Sequence, residues 1–282
     1  MNAAQSQVSV DSEILNVALL RLRFYSLFPY RPLAVTLISA MRRFFFDPIR
    51  ETGDQILITG SEARHISTVL RMQPGMEVEL FDGSGAIIQG EILQVSSQEA
   101  LIHVRSRRTQ HDSATPLTLA LAMLKGKKMD FLIQKATELG VHTFIPLITR
   151  YCEKRVHGKQ QLDRWQRIML EACKQCRRPI PMRIKKPLSI ECLSLPENSN
   201  LIMGWEDEDS RPLSPALLRD NHPTLLLIGP EGGFHLDEVS RARDQGFCTV
   251  SLGPRILRAE TAALAAVAIV QYLSHTLEPN NR

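Results

Sequence analysis

The fold of this chain is decided by two stretches near its C-terminal end that share one design. The first reads LLLIGPEGG over residues 225–233, and the second reads VSLGPRILR over residues 250–258. Each begins as a buried strand, continues into a loop that contains glycine and proline, and leads into a predicted helix. Because ligands of open α/β sheets bind beyond the carboxyl ends of strands, the two loops predict a cofactor pocket at neighbouring strand ends.

The two loops differ from the common nucleotide-binding loops. Neither matches the GxGxxG fingerprint, and neither carries the Lys-Ser/Thr pair that contacts nucleotide phosphates. Glycine lets a ligand approach the backbone closely, while Pro230 and Pro254 stiffen the loops. We therefore predict a small cofactor that is held largely by backbone groups.

Strand and helix patterns alternate around these loops, over residues 116–276. We predict strands at 117–123, 141–148, 201–204, 224–228 and 249–252, and helices at 127–139, 162–176, 236–245 and 261–273. This alternation predicts an α/β domain with a mainly parallel sheet. The acidic run at 206–209 is expected to form a solvated surface loop.

The preceding segment, residues 41–112, is rich in short strand patterns. Strands at 77–81 and 86–95 flank a DGSG turn, and a short helix at 61–71 is predicted with Ser61 as its cap. The pattern predicts a small β-barrel, a fold that often binds nucleic acid. Residues 1–40 are expected to be a disordered extension or a misassigned start, with an organelle transit peptide as the alternative, and 277–282 a tail.

Charge is segregated along the chain, although the net charge is only +4. Residues 150–186 carry twelve Lys/Arg against three Asp/Glu, a local charge of +9, and residues 191–220 carry seven Asp/Glu against two Arg, a local charge of −5. A basic face of this kind favours a polyanionic partner such as nucleic acid, with a merely solvated face as the alternative.

Cysteine content and hydropathy indicate the compartment. The five cysteines are scattered and odd in number, which favours a reducing, cytoplasmic location over a disulfide framework. Cys173 and Cys176 lack a second metal-binding pair, so no metal site is expected. The apolar run at 33–40 is shorter than the ~20 residues of a membrane-spanning helix, so no membrane partner is expected.

Several motifs resemble a known family. GPEGGF at 229–234 and SLGPRILRAETAALAA at 251–266 resemble the paired cofactor loops of the knotted, SPOUT-class methyltransferases. The upstream motifs are similar to one branch, the bacterial 16S ribosomal RNA (uracil-N3)-methyltransferases; they are MRRFFF at 41–46, SEARHISTVLRM at 61–72, LKGKKMDFLIQKATELGV at 124–141 and LEACKQCRRP at 170–179. The resemblance covers residues 41 to about 275.

The resemblance implies a fold, a cofactor and partners. It implies a C-terminal α/β domain with a trefoil knot and a parallel sheet, preceded by a PUA-like RNA-binding barrel. It implies that S-adenosylmethionine lies between the two loops and that the enzyme is a homodimer. The implied substrate is 16S ribosomal RNA within the small ribosomal subunit, methylated at ring nitrogen 3 of a uridine.

The implied site residues come from the same motifs. The candidate cofactor-binding residues are Ile228, Gly229, Glu231, Gly232, Gly233, Leu252, Gly253, Ile256, Leu257 and Arg258. As a catalytic residue, Arg258 would stabilise negative charge on the uracil as the base loses its proton; alternatively it forms an ion pair with Glu260 or Glu231. Glu231 and Glu260 are both candidate proton acceptors, and either would instead stabilise a helix N-terminus. The choice of base stays open.

Basic residues of the motifs are candidates for RNA contact. They are Arg42, Arg64, Arg71, Lys125, Lys127, Lys128, Arg177 and Arg178, with Arg105, Arg107 and Arg108 nearby in the chain. Two rival functions remain. A non-catalytic ribosome-assembly factor would use the same basic surface without the glycine loop, and a nucleotide-dependent oxidoreductase would need a glycine fingerprint after its first strand.

Overall fold

The structure, a computed structural model, describes residues 41–111, 114–152 and 158–277. The predicted extension at 1–40 and residues 278–282 of the predicted tail lie outside the described residues. Within the described ranges, no helix is both long enough and apolar enough to cross a membrane.

The N-terminal part is a six-stranded sheet. Its strands are β1 (Arg42–Phe45), β2 (Glu51–Thr52), β3 (Gln55–Thr59), β4 (Glu77–Phe81), β5 (Ala86–Val95) and β6 (Glu99–Thr109). They lie in the order β1-β4-β5-β6-β3-β2, antiparallel throughout except for the parallel pair β1–β4. Alternate apolar residues such as Phe44, Leu80 and Ile102 form a separate buried cluster on one face.

The turn between β4 and β5 forms as predicted. The Asp82 carboxylate accepts hydrogen bonds from the Ser84 backbone N–H and hydroxyl, both at 2.8 Å. Gly85 has φ +106°, and a Cβ there would lie 2.4 Å from the Gln110 carbonyl oxygen. Only glycine fits this position, so the DGSG sequence fixes the register of the hairpin.

The predicted helix at 61–71 is shorter and less regular than expected. Helix α1 (Ser61–Arg64) continues as one π-helical stretch, His65–Val69. Gly60 is the N-cap and no side chain caps the helix, so the prediction that Ser61 is the cap is wrong. Ser61 is already the first helical residue, because the chain leaves β3 through Gly60 at φ +70°.

The C-terminal part is an all-parallel sheet of seven strands. They are β7 (Leu117–Ala122), β8 (Thr143–Ile148), β9 (Arg183–Ile184), β10 (Leu188–Ser189), β11 (Asn200–Gly204), β12 (Thr224–Ile228) and β13 (Cys248–Val250). The order is β10-β8-β7-β12-β11-β13, with β9 also paired to β8. The helices are α2 (Lys128–Glu138), α3 (Gly158–Cys176), α4 (Leu236–Asp244) and α5 (Ala259–Leu273).

Helices cover both faces of this sheet, which explains why β12 is an unbroken apolar run. Residues of α2, α3 and α5, among them Leu132, Trp165 and Val267, belong to one buried cluster. Val239 of α4 packs in a second cluster with Phe247. The buried side of α3 consists of Trp165, Met169, Ala172 and Cys173.

The β-sheet part contacts α3 through charged side chains. Lys174 lies 2.5 Å from Glu62 of α1 and 2.7 Å from Glu171, and its side chain is only 9% exposed. Arg43 of β1 is buried, stacks 4.6 Å from the Phe81 ring centroid and pairs with Glu79. Lys174 is therefore a bridge between the two parts.

Candidate active site

A cavity of about 890 Å³ opens at the carboxyl ends of three neighbouring strands, β11, β12 and β13. It is lined by residues from the loops that follow each of them. This volume falls within the range of small-molecule and cofactor pockets, which run to roughly 1,000 Å³. The cavity is the feature that the two glycine loops predict.

Nine of the ten candidate cofactor residues line this cavity: Ile228, Gly229, Glu231, Gly233, Leu252, Gly253, Ile256, Leu257 and Arg258. Gly232 does not line it. A Cβ added at Gly232 would instead lie 3.1 Å from Cβ of Tyr151, in the segment after β8. The structure thus brings the two predicted loops together and places Gly232 against a neighbouring loop.

The two predicted loops do not follow neighbouring strands, because β11 lies between β12 and β13. A third loop, which follows β11, therefore sits between them and contributes Trp205, Glu206, Glu208 and Asp209 to the cavity wall. The prediction that the acidic run is a solvated surface loop holds for Glu206, Asp207 and Asp209, which are exposed, and is wrong for Glu208, which is buried. The available signal was the sequence of β11 itself, a largely buried strand that ends at Gly204, much as glycine follows β12 at 229 and β13 at 253.

Glu208 anchors this third loop. Its buried carboxylate accepts hydrogen bonds from the Ser210 hydroxyl and the Thr249 hydroxyl, each at 2.6 Å, and from Arg243 at 3.4 Å. The hydrogen bonds from Ser210 and then Thr249 lower the pKa of Glu208 to about 2. Arg243 also stacks 4.9 Å from the Trp205 ring centroid. The loop is therefore tied to β13 and α4 before any ligand binds.

Gly233 is required by the shape of the cavity. It has φ +71°, and a Cβ there would lie 1.8 Å from Oε1 of Glu206. The positive φ disfavours any L side chain, and a side chain here would also displace the Glu206 carboxylate from the cavity wall. The contact between Gly233 and Glu206 is where the first and third loops meet.

Lys128, at the start of α2, bridges two carboxylates of the site. Its Nζ lies 3.0 Å from Oε1 of Glu231 and 3.1 Å from Oε2 of Glu260. Oε2 of Glu260 is buried and accepts no hydrogen bond within the described residues, so the second contact is an ion pair. Lys128 was a candidate for RNA contact, but it lines the cavity as a counter-ion shared by the loop after β12 and by α5.

These contacts fix the charges of the site. The hydrogen bond to Glu231, followed by the contact with Glu260, raises the pKa of Lys128. Burial opposes ionisation of Glu231, but the hydrogen bond and charge of Lys128, together with backbone N–H groups, lower its pKa. Lys128 is thus a cation and Glu231 an anion at neutral pH, and Glu231 is a weaker base than an ordinary glutamate.

Arg258 is left without an ion-pair partner among the described residues, and its side chain is exposed at the cavity. It is the N-cap residue of α5 through its backbone only, since its carbonyl oxygen accepts from the Ala262 N–H at 2.8 Å and its side chain makes no cap hydrogen bond. The alternative prediction was an ion pair of Arg258 with Glu260 or Glu231, but both carboxylates pair with Lys128 instead. The guanidinium is therefore available to a ligand.

The basic surface is smaller than the sequence suggests. Arg42, Arg64, Arg71, Lys125, Lys127 and Arg177 are exposed. Arg178 instead donates to the carbonyl oxygens of Val141 at 2.7 Å and Thr137 at 3.3 Å, and so stabilises the end of α2. Arg105, Arg107 and Arg108 face Glu91, Glu51 and Glu79 across the N-terminal sheet.

Replacing Lys128 with methionine is expected to weaken cofactor binding several-fold in the absence of RNA. The loop after β12 and helix α5 lose the cation that ties them together, so this part of the cavity wall is less ordered before the cofactor binds. Isothermal titration with S-adenosylmethionine measures the effect. Lys127→Met, at an exposed neighbour, is the control. If Lys128→Met binds S-adenosylmethionine as tightly as the wild type but binds RNA more weakly, Lys128 is an RNA-contacting residue.

Comparison with known proteins agrees with this architecture. The profile of the RNA methyltransferase domain family matches residues 111–271, and that of the RNA methyltransferase PUA domain matches residues 58–105. Ribosomal RNA small subunit methyltransferase E of Buchnera aphidicola is 31% identical over 245 residues, which cover 81% of this chain and 95% of that protein. The Bacillus subtilis protein of the same name is 29% identical, covering 84% and 98%.

A solved structure gives the same result. The ribosomal RNA small subunit methyltransferase E from Neisseria gonorrhoeae, bound to S-adenosyl methionine, matches with a TM-score of 0.75 and 30% identity, covering 83% of this chain and 98% of that one. A parallel α/β domain with a loop-built cavity, preceded by a PUA domain, defines an RNA methyltransferase. The chain belongs to the family of the ribosomal RNA small subunit methyltransferases E. The predicted fold class and family are thereby confirmed.

Proposed function

We propose that this protein transfers a methyl group from S-adenosylmethionine to ring nitrogen 3 of a uridine in 16S ribosomal RNA of the small ribosomal subunit. The observation that carries this proposal is the cavity formed by three loops, with an arginine at its edge that no carboxylate of the described residues neutralises. The family of the chain supports the reaction type.

The cavity fits S-adenosylmethionine in size and chemistry. Ile228, Leu252 and Leu257 offer an apolar wall for the adenine ring, and Glu206 and Glu231 offer negative charge to a cationic ligand. Gly253, at φ +110° with no atom within 4 Å of an added Cβ, leaves open space for close approach. When bound, the cofactor supplies an electrophilic methyl group on a sulfonium.

The residues of the chain then act on the uracil. Nitrogen 3 carries a proton at neutral pH and must lose it to become a nucleophile, which spreads negative charge onto the flanking carbonyl oxygens. Arg258 stabilises that charge as a fixed cation at the cavity. Glu231 and Glu260 both remain proton-acceptor candidates, although the hydrogen bond from Lys128 makes Glu231 the weaker base.

The direct test is transfer of labelled methyl from S-adenosylmethionine to small ribosomal subunits that lack the modification, followed by nucleoside analysis. We expect one 3-methyluridine per subunit. A different methylated nucleoside would overturn the proposed target atom, and label in large subunits alone would overturn the proposed substrate.

The two rival functions are separated by ligand binding. A ribosome-assembly factor without catalysis is expected to bind small subunits and show no thermal shift with S-adenosylmethionine. A nucleotide-dependent oxidoreductase is expected to be stabilised by NAD instead. We expect stabilisation by S-adenosylmethionine and none by NAD or ATP.

A homodimer forms part of this proposal. On and beside α5, the apolar side chains of Ile256, Tyr272 and Leu277 are exposed in the single chain, Ile256 at 88%. Ile256 lines the cavity, whereas Tyr272 and Leu277 lie at the other end of α5, and exposed apolar side chains along one helix are what a subunit interface would cover. Sedimentation of the purified protein tests whether it is a dimer.

RNA binding is expected to depend on salt through the exposed basic residues. Arg177→Gln should reduce the slope of log affinity against log salt by about 0.7–0.9, the value of one phosphate contact. Equilibrium binding to unmodified small subunits across a salt series measures this slope. Arg164→Gln is the control, because Arg164 lies on α3, which ends just before Arg177, but pairs with Asp130 at 2.7 Å. Equal slopes in all three proteins would mean that Arg177 is merely solvated.

A further inference from the structure

Tyr151 is an exposed aromatic residue at an unusual place. It lies in the segment after β8, and half of its surface is open to solvent. Its Cβ lies 3.1 Å from the position that a Gly232 Cβ would occupy. Glu231 and Gly233 on either side of that glycine line the cavity. Tyr151 therefore packs against the same loop that forms the cavity wall.

The tyrosine ring is held in place by its neighbours. Its edge meets the His235 ring, with the centroids 5.9 Å apart and the planes at 63°. His235 is fixed in turn, because its Nε2 lies 2.9 Å from Nη1 of Arg150 and its backbone N–H donates to Glu238 at 2.9 Å. The backbone N–H of Arg150 donates to the same Glu238 carboxylate, also at 2.9 Å. The ring is thus pre-organised and not a freely rotating surface group.

A fixed, half-exposed aromatic ring beside a cavity fits one kind of ligand group well. Unpaired RNA bases are recognised by stacking on aromatic side chains, because every base offers a π-face. Arg150, the preceding residue, is exposed beside the ring and makes only a long ion pair with Asp237, at 3.8 Å, so its guanidinium can also contact the phosphate of a stacked nucleotide. The contact with Gly232 places the ring beside the cavity wall and not within the cavity.

We propose that Tyr151 stacks on an unpaired base of the RNA substrate that neighbours the target uridine. The inference rests on the proposed function, since it assumes that RNA enters beside the loop after β12. Tyr151 is then a substrate-binding residue that orders the RNA next to the cavity. It contributes to the affinity for RNA and leaves the affinity for the cofactor unchanged.

Three variants at this one position test the proposal in the full chain. Tyr151→Ala keeps the Cβ that touches Gly232 and removes the ring, Tyr151→Leu keeps apolar area without a π-face, and Tyr151→Phe keeps the ring. We expect Ala and Leu to raise both KM and the equilibrium Kd for unmodified small subunits by on the order of tenfold. Tyr151→Phe should stay close to the wild type, and all three should bind S-adenosylmethionine normally.

Four other results would each overturn the proposal. If Tyr151→Ala leaves the Kd for small subunits unchanged, the ring has no part in RNA binding. If Tyr151→Leu binds small subunits as tightly as Tyr151→Phe, the contact is apolar and does not involve stacking. Loss of cofactor affinity makes Tyr151 a support of the loop, while a change in sedimentation makes it a subunit contact. The Kd arm needs no catalysis. If the wild type binds small subunits but transfers no methyl group, the proposed function fails, and the Kd values of the three variants still test the stacking proposal.

Discussion

Replacing Gly233 with alanine is expected to weaken S-adenosylmethionine binding by on the order of tenfold or more. A residue with a side chain at φ +71° costs roughly 1–2 kcal/mol. The new Cβ also meets the end of the Glu206 side chain, so this carboxylate, which lines the cavity, must turn away from its place in the wall. The relaxed loop of the free variant has to return to the binding conformation, and that cost appears as lost affinity. Isothermal titration with the cofactor measures it.

Two other glycines provide the controls. Gly232→Ala adds a methyl group next to Tyr151 and away from the cavity, so its cofactor affinity should stay near that of the wild type. Gly253→Ala adds the same methyl group at φ +110° with no atom of the chain within 4 Å, so the melting temperature of the ligand-free variant reports backbone strain without a collision inside the chain. If Gly233→Ala binds as tightly as Gly232→Ala, the meeting of the two loops has no part in cofactor binding.

Local patterns in the sequence predicted the elements of this site well. The apolar run of β12 coincides with the predicted strand at 224–228, and helices α2 to α5 lie within a few residues of their predicted bounds. These features depend on periodicity and on glycine, proline and capping chemistry within a few residues. The same local information placed both glycine loops at strand ends, as the cavity requires.

The contacts between distant segments could not be predicted in the same way. The place of β11 between β12 and β13 is a matter of strand order, which periodicity does not encode. Lys128 is 103 residues from Glu231, and its run of neighbouring lysines suggested a phosphate-binding surface instead. The trefoil knot, the domain boundaries and the individual site residues stay predictions.

Replacing Arg258 with alanine is expected to lower the methyl-transfer rate by about a hundredfold, the scale of removing one preorganised group that stabilises developing charge. Its side chain makes no cap hydrogen bond to α5 and, among the described residues, no ion pair. The variant should therefore fold normally and bind S-adenosylmethionine nearly as well as the wild type. An interaction made only as the uracil loses its proton acts on the transition state, so the rate constant falls and cofactor affinity does not.

Two measurements on the same protein decide this assignment: single-turnover methyl transfer at saturating small subunits, and equilibrium binding of S-adenosylmethionine. Arg258→Lys should restore only part of the rate, because an ammonium cannot reproduce the planar fork of a guanidinium. Arg255→Ala removes a second exposed cation from the same loop and the same cavity wall, and it should transfer at close to the normal rate. If Arg255→Ala and Arg258→Ala are slowed equally, the loop contributes only general positive charge. If Arg258→Ala binds the cofactor poorly yet transfers normally once saturated, Arg258 is a cofactor-binding residue and its catalytic assignment is wrong.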